Sequence, residues 1–282
     1  MSAPAPTISI HVDVTNPGEF FACCGLLELA HRLCPGAEGC FDDGEFRVQY
    51  GDAAASLGTL LSRFKTCEML DDGQTASKER ADDDDEDTKA QPLKIGDPFN
   101  LRLDWWSDKG LKTWAGSMNA RKIFVAMKAA IDENRRDPFS QRGVVSDPVT
   151  QVRNGSTGKS GQAANSRKRE PFYFDARRGA SATARDIGFM PDALSMTTEA
   201  FPAVEALCLV GLQRLRPAPT DMPRVFEYCT WPVPLAPVLA AAAVCGKLPG
   251  VGAVHYRFEN AFRTDQRKHK GFMPAARIGE KR

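Results

Sequence analysis

The sequence predicts an α+β fold, with a ferredoxin-like β-α-β-β-α-β N-terminal half that carries an acidic insertion and a second α+β half after it. Residues 7–15 alternate strictly between apolar and polar side chains, which is typical of a half-buried strand. Residues 16–33 are almost entirely apolar, with helix start and stop signals at their ends. Residues 40–50 form two short apolar alternations around Asp43-Gly44, which predicts a hairpin because both turn residues tolerate a positive φ.

The first helix, at 16–33, is the best-marked element of the sequence. Asn16 can accept hydrogen bonds from free amides, Pro17 suits the first helical position, and Glu19 is placed to complete a capping box. Gly25 costs this helix about 1 kcal/mol against alanine, so we expect close packing against a sheet at that point. The helix should lie mostly inside the domain, because its residues are largely apolar.

The remainder of the first half supplies the other elements of the ferredoxin-like order. Residues 53–66 have the apolar spacing of a second helix. Residues 67–97 are polar and strongly acidic, which predicts a disordered or loosely held insertion. Alternation at 99–105 predicts the fourth strand, and a further helix is expected within 110–136. The predicted first domain therefore covers 1–136.

A mobile basic loop, rich in glycine and serine, is predicted at 137–170. The second α+β region then covers 171–282 and ends in a basic tail. Its pattern predicts strands at 171–175, 224–230 and 251–262, a helix at 198–215, and a small buried alanine-rich helix at 235–245.

Charge is strongly segregated along the chain, although the net charge is only +1. Residues 68–97 hold eleven acidic and four basic side chains, whereas residues 142–185 hold nine basic and three acidic ones. Residues 257–282 hold eight basic and three acidic side chains. Such segregation favours a surface that binds a polyanion.

The N-terminus has no signal-peptide pattern, and the longest apolar run, at 235–245, is too short to span a bilayer. We therefore expect a cytoplasmic protein without a membrane partner. The eight cysteines contain no C-x-x-C pair, so reduced thiols are expected, with no metal and no cofactor.

Two motifs that suggest catalysis are weak. The GSTGKS run at 155–160 has Arg153 where a phosphate-binding loop needs its first glycine, which favours a flexible loop. The four histidines lack the spacing of metal ligands. An acid–base role for His11 or His255, as in a ribonuclease, stays open as an alternative.

Basic clusters close to aromatic residues are the most informative pattern. Guanidinium groups pair with phosphates, and aromatic faces stack on unpaired bases. The alternative for each basic residue is a solvated surface or an ion pair with a core carboxylate such as Asp175 or Asp186. The predicted phosphate contacts are Arg167, Lys168, Arg169, Arg177, Arg178, Arg263, Arg267, Lys268 and Lys270.

Five stretches are similar to a known family: NPGEFFACCGLLELA at 16–30, LDWW at 103–106, KTWAG at 112–116, PFYFDARRG at 171–179 and RTDQRKHK at 263–270. Together they resemble the CRISPR-associated Csb-type proteins of type I-U (I-G) systems, which are placed with the large subunit of the RNA-guided Cascade complex. The resemblance covers most of the chain except the acidic insertion and the Gly/Ser loop.

The resemblance implies a non-catalytic, nucleic-acid-binding subunit of a type I CRISPR interference complex in antiviral defence. The implied partners are crRNA, target DNA, other Cascade subunits and a helicase-nuclease that the complex recruits. In such complexes base pairing selects the sequence, and the protein supplies backbone charge and short-motif readout. The resemblance assigns no residue roles, so the predicted contacts depend on charge alone. A metal-independent CRISPR RNA-processing endoribonuclease and a purely structural subunit are the alternatives.

Overall fold

The computed structural model confirms a mixed α+β architecture with small antiparallel sheets. The described residues are 8–51, 56–70, 91–107, 110–115, 118–148, 168–179, 199–263 and 269–279.

The N-terminal sheet has three antiparallel strands, β1 (Ile8–His11), β2 (Glu38–Asp42) and β3 (Glu45–Gln49). β3 lies between β1 and β2, as in the split β-α-β unit of the ferredoxin-like order. Asp43 and Gly44 have φ values of 48° and 76°, which confirms the predicted hairpin turn.

The complete ferredoxin-like arrangement is not confirmed. The strand expected at 99–105 is shorter, Leu101–Leu103 (β6), and it pairs with Leu93–Ile95 (β5) instead of β1. A further strand, Met69–Leu70 (β4), pairs with β5 and completes a separate three-stranded sheet. Both ends of the predicted acidic insertion are thus strands, whereas its residues 71–90 lie outside the described part of the chain.

The predicted helices are present, most of them shorter than expected. They are α1 (Pro17–Leu33), α2 (Leu57–Thr66), α3 (Ala120–Ala129), α4 (Ala176–Gly179), α5 (Pro202–Arg214) and α6 (Pro237–Val244). α4 is an additional short helix. α6 was expected to be buried, but Val238 and Leu239 are 66% and 50% exposed. None of the described helices is long and apolar enough to cross a lipid bilayer.

The cap of α1 differs in detail from the predicted capping box. The Asn16 side chain accepts from Gly18 N at 3.1 Å, as expected. Glu19 does not reach back to the Asn16 amide, because it accepts from Asp13 N at 2.8 Å and from Asn16 Nδ2 at 3.2 Å. The Asn16 amide donates to Asp13 O instead.

The C-terminal sheet consists of β9 (Ala218–Pro219), β10 (Val225–Thr230), β11 (Val254–Phe262), β12 (Lys270–Phe272) and β13 (Ala276–Ile278). The order is β12-β11-β10-β9, and β13 also pairs with β11. All the pairs are antiparallel.

Residues 171–175, predicted as a strand, are instead a buried irregular segment in which Tyr173 has a φ of 66°. Part of the predicted mobile loop also has regular structure. Pro138–Ser140 is a 3₁₀ helix, and β7 (Gly143–Val144) pairs with β8 (Glu199–Ala200).

A close crossing of α1 and α5 forms the centre of the fold. A Cβ on Gly25 would lie 2.0 Å from Leu207 O, and a Cβ on Gly211 would lie 2.0 Å from Phe21 O. The expected packing of Gly25 against a sheet is therefore wrong, because its neighbour is a helix. One hydrophobic core includes residues of both predicted domains, from Ile8 to Ala275. The limits 1–136, 137–170 and 171–282 stay predictions.

We predict that Gly25→Ala and Gly211→Ala each lower the free energy of unfolding by about 3 kcal/mol or more, because the added methyl group meets backbone that cannot move aside. Urea denaturation measures this loss. Gly51→Ala is the matched control, since a Cβ there meets no described atom within 4 Å. A loss below about 1 kcal/mol at both positions would contradict the close crossing.

Candidate nucleic-acid interface

The structure brings together basic groups that are far apart in the sequence. Residues 168–177 pass beside β12, where Phe272 N donates to Tyr173 O at 3.1 Å. The Arg263 guanidinium lies over the Tyr173 ring, 3.1 Å from its centroid. The Tyr173 hydroxyl donates to the Glu170 carboxylate, close in sequence to Lys168. The described basic residues Lys168, Arg169, Arg177, Arg263 and Lys270 therefore lie in one region of the molecule.

The chain on either side of the basic segment 148–168 is held together by backbone hydrogen bonds. Ser146 and Lys168 form an antiparallel bridge, and Arg169 N donates to Val145 O at 2.9 Å. The Arg169 guanidinium pairs with Asp147 through two hydrogen bonds, one of them 2.8 Å long. The chain from 148 to 168 contains basic and no acidic side chains, so the bridge holds the two ends of a positively charged segment side by side. Residues 149–167 lie outside the described residues, and with them the GSTGKS run and Arg167.

Arg177 is held by internal partners. Its Nη2 is 2.6 Å from Asp175 Oδ2 and 3.1 Å from Glu19 Oε1, and it donates to Phe139 O at 2.9 Å. The guanidinium also lies 3.6 Å from the centroid of the Phe201 ring. This is the ion pair with Asp175 that the sequence left open as an alternative. Arg177 orients the segment, and its charge is already balanced by two carboxylates.

A cluster of buried acidic groups anchors the same segment to the two central helices. Glu205, in the first turn of α5, accepts from Asp175 N at 3.2 Å and from Phe174 N at 3.3 Å. Asn16, at the cap of α1, donates to Asp175 Oδ1 at 3.1 Å and accepts from Ala176 N at 2.9 Å. Side chains from α1 and α5 thus bind backbone groups that a strand would pair with another strand.

Burial controls the ionisation of these carboxyls. Burial and, to a smaller extent, the nearby Asp175 carboxylate raise the pKa of Glu205 to about 8, although backbone amides oppose the shift. Burial also raises the pKa of Glu19, with the Asp13 amide and Arg177 acting in the opposite direction. Folding is therefore linked to the protonation of Glu205 at near-neutral pH.

The second basic group lies on the β11–β12 hairpin. Arg263 N donates to His269 O at 2.8 Å, and Lys270 N donates to Thr113 O at 2.8 Å. The chain between them carries Arg267 and Lys268, which lie outside the described residues. Arg263 is largely buried, and burial lowers its pKa while Tyr173 and Glu170 oppose that change. Lys270 is partly buried at the start of β12.

An aromatic cluster packs against Phe172 and Phe174 of the segment 171–175. Trp105, Trp106 and Trp114 pack edge to face with centroid distances of 5.7–6.0 Å. Trp114 also packs on Phe172 at 4.9 Å, and Trp105 on Phe174 at 6.0 Å. All three tryptophans are at most 5% exposed, so they belong to the core and do not offer a face to bases.

Of the nine predicted contact residues, Arg167, Arg267 and Lys268 lie outside the described residues. Arg169, Arg177 and Arg263 have internal partners that position the chain. Lys168 is exposed, and Arg178 belongs to α4. Sequence reasoning missed the exposed Arg142, 3.6 Å from Glu199 across the β7–β8 pair. It also missed Glu205, whose only signal was a single acidic residue in an otherwise apolar helix.

The candidate catalytic residues do not form a site with the basic surface. His11 lies in β1, opposite Glu45 of β3, and His255 lies opposite Cys229 in the C-terminal sheet. A cleft of about 310 Å³ is lined by residues 253–255 and 277–279. Among the described side chains, no group of three His, Cys, Asp or Glu residues is placed to hold a metal ion.

Comparisons of the chain with family models, with curated proteins and with solved structures find no match.

We predict that the free energy of unfolding falls between about pH 4.5 and about pH 8 through Glu205. The unfolded chain loses this proton near its ordinary value of 4.5, whereas the folded chain keeps it to about 8. Stability from the protonated carboxyl is thus complete below pH 4.5 and lost as the pH passes through this range.

Urea denaturation at several pH values should show that Glu205→Gln removes this part of the pH dependence. Glu38→Gln, at an exposed glutamate, is the control and should leave it unchanged. An identical pH profile for the natural chain and Glu205→Gln would contradict the assignment.

Proposed function

We propose that this chain is a non-catalytic, nucleic-acid-binding subunit of a type I CRISPR interference (Cascade) complex, and that it helps to bind crRNA and target DNA. The observation that supports the proposal is that Arg263 stacks on Tyr173 and that the Tyr173 hydroxyl binds Glu170, next to Lys168 and Arg169. A cytoplasmic location, contact with other Cascade subunits and recruitment of a helicase-nuclease belong to the same proposal.

The internal ion pairs and ring contacts shorten the list of proposed phosphate contacts. Arg169, Arg177 and Arg263 already have partners, so we assign them to positioning the chain. The phosphate contacts in this proposal are Arg167, Lys168, Arg178, Arg267, Lys268 and Lys270. Glu170, two residues after Lys168, and Arg263 both contact Tyr173, so the described ends of the segments that carry Arg167, Arg267 and Lys268 lie near one residue. This arrangement suits the binding of one run of phosphates.

The placement of the five similar stretches also supports the proposal. Segment 171–179 contacts the stretch at 16–30 through Asn16 and Ala176, and the stretch at 103–106 through Trp105 and Phe174. It contacts the stretches at 112–116 and 263–270 through Phe172 and Tyr173, respectively. The residues that carry the resemblance therefore form one structural unit around the proposed interface.

We predict that changing Lys168, Arg178, Arg267 and Lys268 to Gln weakens nucleic-acid binding and flattens its salt dependence. Each lost phosphate contact should reduce the slope of log K against log salt by about 0.9 on duplex DNA and about 0.7 on single strands. Fluorescence anisotropy over a salt series measures the slope.

The matched control changes four exposed basic residues elsewhere to Gln, namely Arg63, Arg102, Lys122 and Lys247. It removes the same charge, so a general effect of net charge would lower both slopes equally. Equal slopes for the two quadruple variants would contradict this interface. Cleavage of repeat RNA in EDTA that is lost on substitution of His11 or His255 would instead support the endoribonuclease.

Membership of the complex has a separate test. A tagged chain isolated from its source cells should recover repeat-derived guide RNA together with other CRISPR-associated proteins. If neither is recovered at low salt, the proposed complex is wrong, even if the isolated chain binds nucleic acid.

A further inference from the structure

Lys128 is a buried amine. It lies in the last turn of α3 and is 4% exposed, and among the described residues the partners of its Nζ are two atoms of Cys67 and not a carboxylate. Lysine is rarely buried in this way, since an unpaired ammonium group loses its hydration. Burial lowers the pKa of Lys128, so the neutral amine is easier to form than on an exposed lysine.

The nearest partners of this amine belong to one residue, Cys67, at the C-terminal cap of α2. Lys128 Nζ donates to Cys67 O and lies 3.4 Å from Cys67 Sγ. Sγ is also 2.9 Å from Phe64 O, and Cys67 is 8% exposed. The carbonyl contact caps α2, whereas the sulfur contact places an amine against a thiol in a site closed to larger molecules.

We propose that Cys67 and Lys128 form a reversible covalent cross-link when the protein meets a peroxide. The bond is a sulfenamide between Sγ and Nζ, and it ties the end of α2 to the end of α3. This proposal does not depend on the proposed function, because neither residue belongs to the basic interface.

The chemistry balances with one peroxide molecule. Transfer of the thiol proton to Nζ gives a thiolate and an ammonium group. The thiolate sulfur attacks a peroxide oxygen, so that an S–O bond forms and the O–O bond breaks; the hydroxide released takes a proton from the ammonium group and leaves as water. The neutral amine then attacks the sulfenic sulfur, the S–N bond replaces the S–O bond, and a second water leaves with the amine proton.

The sulfur loses two electrons and the peroxide gains them. Because Cys67 is nearly closed to solvent, the amine already in contact is the first nucleophile that the sulfenic acid meets. A small dithiol reverses the reaction by attacking sulfur and releasing the amine with its proton.

The test treats the purified full chain with hydrogen peroxide and analyses the digested protein by mass spectrometry. A linked pair of peptides containing Cys67 and Lys128 is expected, lighter by about 2 Da than their sum and released by dithiothreitol. Oxidised protein should also show a higher thermal midpoint than reduced protein, and the difference should disappear in Cys67→Ser.

Lys128→Arg is the matched variant, since it keeps a charged donor for Cys67 O but lacks the amine. In this variant Cys67 should progress to sulfinic acid, heavier by about 32 Da. The thiol of Cys245, which donates to Arg216 O at 3.2 Å, is an internal comparison and should oxidise without a link to lysine. The proposal is overturned if Cys67 in the natural chain stays unmodified, or reaches sulfinic acid as fast as in Lys128→Arg.

Discussion

The crossing of α1 and α5 is the constraint on which the rest of the structure depends. Gly25 and Gly211 let the backbones approach until no Cβ fits between them. Both helices are consequently buried along most of their length, and the sheets and remaining helices pack around them. Their N-termini reach the same place, where Asn16 and Glu205 bind the backbone of residues 174–176. The position of the candidate interface therefore follows from the way two helices cross.

Acidic and basic side chains have different roles around residues 171–179. Glu205 and Asp175 are fully buried carboxyl groups. Backbone amides bind Glu205, and Asn16 and Arg177 bind Asp175. Arg169 and Arg263 hold the described ends of the two basic chain segments through Asp147 and Tyr173. These arginines thus act mainly by holding neighbouring chain segments in place through several hydrogen bonds and ring contacts of one planar group. Lysine could not make the same set of contacts. A basic residue in such a cluster can be assigned as a phosphate contact only after its partners within the fold are known.

The α2–α3 contact is chemically separate from this region. Arg121 donates to Met69 O and Leu70 O, and Lys128 donates to Cys67 O, so α3 binds three of the four residues that follow α2. Lys128 satisfies a carbonyl group at the C-cap of α2, and Arg121 satisfies two carbonyl groups of β4. The Cys67 thiol lies within reach of one of those amines.

The sequence by itself determined the elements whose signals are local. The hairpin at Asp43-Gly44, the start of α1 at Pro17 and the strand β10 depend on turn chemistry, capping and side-chain period within a few residues. The presence of basic clusters was likewise visible in the sequence.

Tertiary structure decided which partners these elements take. The sequence predicts a strand at 171–175, yet Glu205 accepts from the amides of Phe174 and Asp175, and Asn16 accepts from the next amide, that of Ala176. β6 pairs with β5 and not with β1, and Arg177 binds Asp175 and Glu19. The reason is physical: caps and turns are set by neighbours along the chain, whereas backbone pairing, glycine contacts and ion pairs are settled by competition among groups that only the fold brings together.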